Sequence, residues 1–457
     1  MAGNHHAGTP DTGDNRRRIV IVGGGYVGMH TALRLQRKVN HREVSITVID
    51  PRSYMTYQPF LAEAAAGSVE PRHVVVPLRE VLTGCDVLCG EVSGIESAKH
   101  AVTVRVADGR IEELGYDLLV VCPGSVAKTM PVPGLAEHGV GFKTFEEAVY
   151  LRNFVLSRLE AADSTLDNEL RQRLLSFVFV GGGYAGVEAM AELEDMARQA
   201  TAYFDDITPR DMRWVLVEAA DRIMPEVSLP LARYTRDRLA AHGFEVYLGT
   251  TMRSAEHGHI ELDNGVELDA DTLVWTAGVK PDPMLGETDL PLDERGRIRC
   301  TDTLRVHELT DVYAAGDCAA VPDRTSDQPG AVCAPSAQHA ARQANCLARN
   351  LVAALHGQRQ RRYKHTYAGS VASLGLYRGV AEIYGVKLRG FPAWALHRGY
   401  HLATMPTVHR KLRIAADWAL SLPFPRQIVA TGEQHDPRRE FLRASGSQSG
   451  TSESETS

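Results

Sequence analysis

The chain of 457 residues is 44% apolar and 23% charged, with a formal net charge of −7 and a pI near 6.2. A chain of this length buries a large core and divides into two or three domains, and its acidic balance excludes general nucleic-acid binding, which favours basic faces. It has no apolar run of about 18 residues, so no transmembrane helix is expected.

Residues 1–15 are polar, without periodicity, and read as a disordered tail; the first 18 lack the apolar core of a secretion signal. Ile19–Val22 is a continuous apolar run, as a buried parallel strand requires. It leads into Gly23-Gly24-Gly25-Tyr26-Val27-Gly28. In a dinucleotide fingerprint such glycines permit a tight turn, let the backbone approach a pyrophosphate, and let the next helix pack closely on the strand. That helix should turn Ala32, Leu33 and Leu35 inward and end near Asn40. The next strand, Val44–Ile49, ends in Asp50, whose carboxylate can accept hydrogen bonds from a ribose hydroxyl pair.

Residues 51–82 do not continue a simple βαβ unit. Tyr57-Gln58-Pro59-Phe60 leads into an Ala-rich helix up to Gly67, which by composition alone is a surface helix. Val87–Cys89, Val102–Val106 and the Asp108-Gly109 turn predict a β-meander. The buried strand beginning at Asp117 closes with Cys122-Pro123-Gly124. Phe145–Leu159 has helical periodicity, and residues 161–172 read as loop or exposed helix.

The fingerprint then recurs: Phe177–Val180 runs into Gly181-Gly182-Gly183-Tyr184-Ala185-Gly186-Val187-Glu188. Its partner strand, Arg213–Glu218, again ends in an acid, and a carboxylate there would repel a 2′-phosphate, so NAD is expected over NADP. A second meander around His259–Asp269 turns at Asn264-Gly265, and the strand from Thr272 closes at Gly278. The two halves are internal copies, each with a dinucleotide to bind. Beyond residue 295 the chain changes: a short strand from Asp311 ends in Gly316-Asp317, and a long helix runs to about His356. Residues 444–457 form a second polar tail. The seven cysteines include no Cys-x-x-Cys pair, so neither a metal site nor a disulfide framework is expected, and the chain reads as a cytoplasmic, reduced-thiol protein.

In this order the pieces resemble the two-dinucleotide-binding-domain flavoproteins. Within that group the closest likeness is to the type II NADH dehydrogenases, which are NADH:quinone oxidoreductases. Tyr57-Gln58-Pro59-Phe60-Leu61 through Gly67, Gly141-Phe142-Lys143-Thr144, Gly181 to Glu188, and Ala337-Gln338 carry it. The resemblance implies an α/β fold of two Rossmann-like domains. An NAD-binding domain (127–295) is inserted in a discontinuous FAD-binding domain (16–126 and 296–365). A C-terminal α/β region (366–432) with amphipathic helices and a mostly disordered tail (433–457) complete the chain. FAD would be held by Gly23, Gly24, Gly25, Tyr26, Val27, Gly28, Asp50, Gln58, Gly124, Gly316, Asp317, Ala337 and Gln338. NADH would be held by Gly181, Gly183, Tyr184, Gly186, Glu188, Glu218 and Gly278. Glu188 is implied to position nicotinamide or handle protons, and Gln338 to meet the electron acceptor. Glu188 also reads more plainly as a charge complementing its helix N-terminus.

A disulfide reductase of this superfamily would carry a redox cysteine pair on the helix that residues 56–66 form. That segment contains no cysteine, so electrons must pass to a diffusible acceptor, a quinone or another small molecule. Three departures from the family pattern stand out: Cys122-Pro123-Gly124 in place of Ala-Thr-Gly, Arg342 where a glutamine is usual with Gln343 displaced by one, and a polar C-terminal region. There Phe391–Leu402 is interrupted by His397, Arg398 and Gly399, and a following helix places Val408, Leu412, Ala415, Ala419 and Leu422 on one face. Residues 386–428 hold seven Lys/Arg against the single acid Asp417, which suits an anionic membrane surface at the inner face of the cell membrane. The alternative is a pair of helices that packs against a domain or a second copy; a homodimer is expected. A soluble NADH:acceptor oxidoreductase and a flavin- and NADH-binding redox sensor are the competing functions.

Overall fold

The computed structural model describes residues 15–365, 369–421, 423–424, 426 and 428–430. The tail readings for residues 1–14 and 431–457, and the placing of Leu422, lie outside those residues. From the start, β1 (Arg17–Val22) enters α1 (Tyr26–Leu35), followed by β2 (Val44–Asp50), the short α2 (Leu61–Ala65), β3 (Asp86–Glu96), β4 (Ala101–Val106), β5 (Ile111–Gly115) and β6 (Leu118–Val121). A second set follows: β7 (Gly139–Gly141), α3 (Phe145–Ser164), β8 (Ser176–Val180), α4 (Tyr184–Ala200), β9 (Arg213–Glu218), β10 (Glu245–Leu248) and β11 (Thr272–Trp275). Then come β12 (Val312–Ala314), α5 (Ala337–Leu355), β13 (Gly369–Ser373), β14 (Gly379–Ile383), β15 (Val386–Arg389), α6 (Phe391–Thr404) and α7 (Val408–Leu420).

These strands sort into two α/β sheets. The first has the order β12-β6-β1-β2-β3-β4-β5, with the meander β3–β5 antiparallel and the rest parallel. Its first strand in space, β12, comes from beyond the whole second set, so the chain leaves this sheet and returns to it. The second sheet, β7-β11-β8-β9-β10, is wholly parallel. Both carry the run of β-branched and aromatic residues that a sheet covered on both faces needs. In the second, Phe177 and Trp214 stack with ring centroids 4.3 Å apart. A smaller antiparallel sheet, β13-β14-β15, lies under α6.

The structure corrects two expectations. Helix α1 stops at Leu35, short of Asn40, and Leu33 is only half-buried. The Gln36 side chain instead bonds to the Val81 carbonyl and receives the Gly84 N–H, tying the chain into a turn. The Ala-rich α2 is buried at all five positions, since it is wedged between α3 and α4. The run from Phe391 forms a helix, as expected, and its His397 and Arg398 turn inward to the carboxylates of Glu188 and the buried Glu63.

Gly28 is where strand and helix meet most closely: a Cβ there would lie 1.7 Å from the Gly23 carbonyl oxygen, a backbone atom that cannot move aside. Gly28→Ala is expected to cost about 1–3 kcal/mol by overpacking, read as a lower urea midpoint together with loss of bound flavin.

Candidate functional site

The two glycine turns are built alike. Gly23 has φ +100 and Gly181 φ +115, values open to glycine, and a Cβ at either would strike the backbone of the neighbouring strand's exit, at Cys122 or Thr276. The Gly23 N–H donates to the Ile49 carbonyl and the Gly181 N–H to the Val217 carbonyl, each at 2.8 Å. The following helices, α1 and α4, start without a side-chain cap and without an acid in their first turn. Their first N–H groups therefore point out of the helix unclaimed, with a positive dipole end behind them. A Cβ added at Gly25 or Gly183 would meet nothing within 4 Å, so each turn faces open space where a pyrophosphate can approach. The donor set and the space fit two dinucleotides.

Asp50 and Glu218 close these turns. Asp50 Oδ2 accepts the Gly24 N–H at 2.6 Å and Oδ1 accepts that of Arg52 at 2.8 Å. Glu218 Oε2 accepts the Gly182 N–H at 2.5 Å and Oε1 that of Ala220 at 2.8 Å. Each acid shapes the turn before it meets any ribose, and its remaining lone pairs stay available for hydroxyl groups. Burial raises the Asp50 carboxyl above its usual range, against the pull of the two N–H groups.

The return of the chain brings Asp317 beside Gly124. Asp317 Oδ2 accepts from the Ser125 hydroxyl at 2.7 Å, and the Ser125 oxygen accepts from Lys143 Nζ at 2.6 Å. The sequence reading missed Ser125, and it used Lys143 only as part of a family stretch. The capping box of Thr144 and Glu147 at the start of α3 fixes Lys143, whose own N–H donates to Glu147. Gly124, Gly278 and Gly316 all have positive φ and mark the strand exits that face the turns. Tyr26 is half-buried, its hydroxyl inaccessible and without a hydrogen-bond partner among the described residues, whereas Gln58 is exposed and reaches the Lys143 carbonyl at 3.4 Å.

Glu188 is not a charge in the first turn of α4. It is the fifth residue of that helix and points at β13, where Oε1 accepts the Ser373 N–H at 2.8 Å and lies 3.4 Å from His397 Nε2. Gln338, in the first turn of α5, donates to the Gly369 carbonyl at 3.1 Å. Gln343 does not stand in for the usual glutamine at 342: it is buried and its Oε1 accepts the Gly316 N–H at 2.7 Å, holding the turn of Asp317. Arg342 lies one turn beyond Gln338 and bonds to the His365 ring at 2.8 Å. Burial, then the charges of His339 and Arg342, push His365 down to about 4, so the guanidinium sits beside a neutral imidazole near neutral pH. No group of metal-binding side chains occurs among the described residues.

Residues 17–344 match the family described as pyridine nucleotide-disulphide oxidoreductase. The chain is 28% identical to a type II NADH:quinone oxidoreductase of Mycobacterium tuberculosis, covering 92% of this chain and 91% of the other. It is 26% identical to a probable NADH dehydrogenase of Dictyostelium discoideum, over 90% of each. Its fold follows that of the NDH2 from Plasmodium falciparum solved in complex with NADH, with a TM-score of 0.84 over 91% of this chain and all of that one, at 16% identity. At that identity the likeness is one of fold.

Arg342→Gln should raise the His365 titration from about 4 toward the ordinary imidazole range without fully restoring it, since burial and His339 also hold it down. An NMR titration of the ring measures this. The folded value lies below the unfolded one, so the wild type loses the associated stability as pH falls from about 6.5 through 4, and the variant should lose less there.

Proposed function

The chain belongs to the pyridine nucleotide-disulphide oxidoreductase family, and from that premise we propose that it is an FAD-dependent, non-proton-pumping NADH:quinone oxidoreductase of the type II kind. The observation that carries the reading is the pair of latched glycine turns, one in each sheet, in a chain aligned over nine-tenths of its length with such an enzyme. FAD, when bound, supplies the chemistry, accepting a hydride and giving up two electrons.

The chain's own residues do the rest. Gly23–Gly28 and Asp50 hold the FAD pyrophosphate and ribose, with Asp317, Ser125 and Lys143 at the return crossing. Gly181–Gly186 and Glu218 hold NADH. Glu188 stands where α4 leaves the nicotinamide-nucleotide turn and orients that end of the cofactor. Gln338, at the start of α5, faces the quinone. Arg342, one helical turn from Gln338, is held by its bond to the His365 ring.

The protein meets the bilayer through α6 and α7. No helix among the described residues is long and apolar enough to cross it. Val408, Leu412 and Phe424 are 73%, 67% and 62% exposed, with Phe391 at 57%, and Lys387, Arg389, Lys411 and Arg413 lie among them in sequence. Exposed apolar side chains interspersed in sequence with cations suit the surface of an anionic membrane. Arg398, Arg410 and Arg426 are buried, so the surface charge is smaller than the sequence count suggests. A second copy of the chain is the competing occupant of this face.

Steady-state rates with a menaquinone analogue, with and without anionic vesicles, test the assignment. NADH-dependent quinone reduction that rises when vesicles are present is expected; a protein that reduces no quinone, or dimerises through this face and ignores vesicles, would contradict it. Glu218→Ala removes the carboxylate proposed to accept from the ribose hydroxyls of NADH, and a hydrogen bond to a charged group is worth about 1.5–3 kcal/mol in general. It should raise the NADH KM at least about tenfold on that scale and narrow the preference over NADPH. Gln338→Ala should slow reoxidation of the flavin by quinone more than its reduction by NADH in stopped-flow traces.

A further inference from the structure

Behind Glu188 lies a group of buried charges that cofactor binding does not explain. Glu63 on α2, Glu192 on α4 and His397 on α6 are 1%, 0% and 2% exposed. Arg398 reaches Glu63 at 3.2 Å, Arg426 reaches Glu192 at 3.3 Å, and the Trp418 indole donates to Glu63 at 3.0 Å. His397 stands in the middle, its Nε2 3.4 Å from Glu188 and its Nδ1 4.0 Å from Glu63 Oε1. Neither His397 Nδ1 nor Glu63 Oε1 has a hydrogen-bond partner among the described residues. Two facing orphan atoms at that depth are costly unless a proton or a water joins them.

The same helix face leads outward. His397, His401 and Thr404 recur at i, i+4 and i+7 along α6, so they line one side of it. The rings of His397 and His401 are 4.6 Å apart between centroids. His401 Nδ1 lies 3.4 Å from the Tyr57 hydroxyl, and that hydroxyl is 2.6 Å from Thr404 Oγ1. Tyr57 is buried but Thr404 is exposed. The Tyr57 hydroxyl also donates to the His401 carbonyl at 3.0 Å, and the two imidazoles are in ring contact, so a row of titratable or hydroxyl groups runs from the exposed Thr404 to Glu188.

We propose that this face of α6 is a proton path, running from Thr404 through Tyr57, His401 and His397 to Glu188, and that it supplies the proton consumed when the acceptor is reduced. The inference rests on the quinone reading above. NADH gives up a hydride, two electrons and one proton, and becomes NAD+; a quinone becomes a quinol by gaining two electrons and two protons. One further proton must come from water, and the balance is NADH + H+ + quinone → NAD+ + quinol. Burial opposes charge on His397, but Glu188, Glu63 and Glu192 outweigh it and raise the imidazole above its ordinary value, so it holds the proton. Burial and the charge on His397 keep His401 neutral, able to take a proton at one nitrogen as it releases one from the other. The groups facing His397 from the packed elements are Glu63 from α2, Glu188 and Glu192 from α4, Arg398 and His401 from α6, and Arg426 beyond α7.

Tyr57→Phe keeps the ring and removes only the hydroxyl, and His401→Asn breaks the next link. In the purified holoenzyme, hydrogen–deuterium exchange of the His397 ring N–H, followed by NMR on 15N-histidine protein, should slow in both. Quinone-driven reoxidation should slow by about a hundredfold, the low side of what a lost proton-transfer group costs, with a larger solvent isotope effect. Should Tyr57→Phe not fold, Thr404→Val cuts the path at its exposed end and carries the same expectations. Ring exchange that stays at the wild-type rate in all variants that fold would overturn the path. If the wild type reduces no quinone, the assignment above fails, while the exchange measurement still decides whether the path conducts.

Discussion

A single hydrogen bond, made twice, sets the geometry on which the rest depends: the carboxylate at the end of the second strand accepts the N–H of the middle glycine in the preceding turn. Asp50 does this for Gly24 and Glu218 for Gly182. The bond fixes where the chain leaves one strand and enters the helix, and so where the helix N-terminus points. Because the acid lies on the neighbouring strand, the turn and the parallel pairing hold each other in register, Val22 opposite Ile49 and Val180 opposite Val217. The N–H groups at each helix start are thus set in place by the fold itself, and a pyrophosphate at that turn would find donors that need little further ordering.

The two units are not equal partners. The first sheet needs β12, which arrives only after the second sheet is complete, and Gln343 on α5 pins the turn that follows β12 by accepting the Gly316 N–H. Asp317 is thereby held against Ser125 and Lys143, the latter set by the cap of a helix that belongs to the second unit. The crossing between the units is thus tied by polar side chains from three separate stretches of chain. Such ties set the two glycine turns relative to each other, which neither sheet alone can do.

The C-terminal elements add a different constraint. α6 covers β13–β15 and sends His397 and Arg398 inward to carboxylates on α2 and α4. Removing one member of such a buried set strands its partner's charge, so the cluster specifies how these helices dock more than it stabilises the fold. Arg398 also lies over the Trp394 and Trp418 rings, 4.2 and 4.7 Å from their centroids, and its planar cation suits that position better than a lysine would.

Much of this was legible in the residues. Both glycine turns, their terminal acids, the two meanders and the late Gly316-Asp317 are local patterns, set by strand periodicity and by backbone angles that glycine alone adopts freely, and a local pattern can be read without knowing the fold. The repeat of that pattern further implied two dinucleotides, and the family likeness implied which. What the sequence could not show was which distant charges meet. Glu63 read as part of a surface helix, and His397 and Arg398 as breaks in an amphipathic one, because an isolated helix gives no reason for charge on an inward face. Gln343 looked like a displaced contact until the crossing of α5 over Gly316 gave it a partner. These pairings join residues far apart in the chain, and only the packing of α2, α4 and α6 brings them within reach of one another.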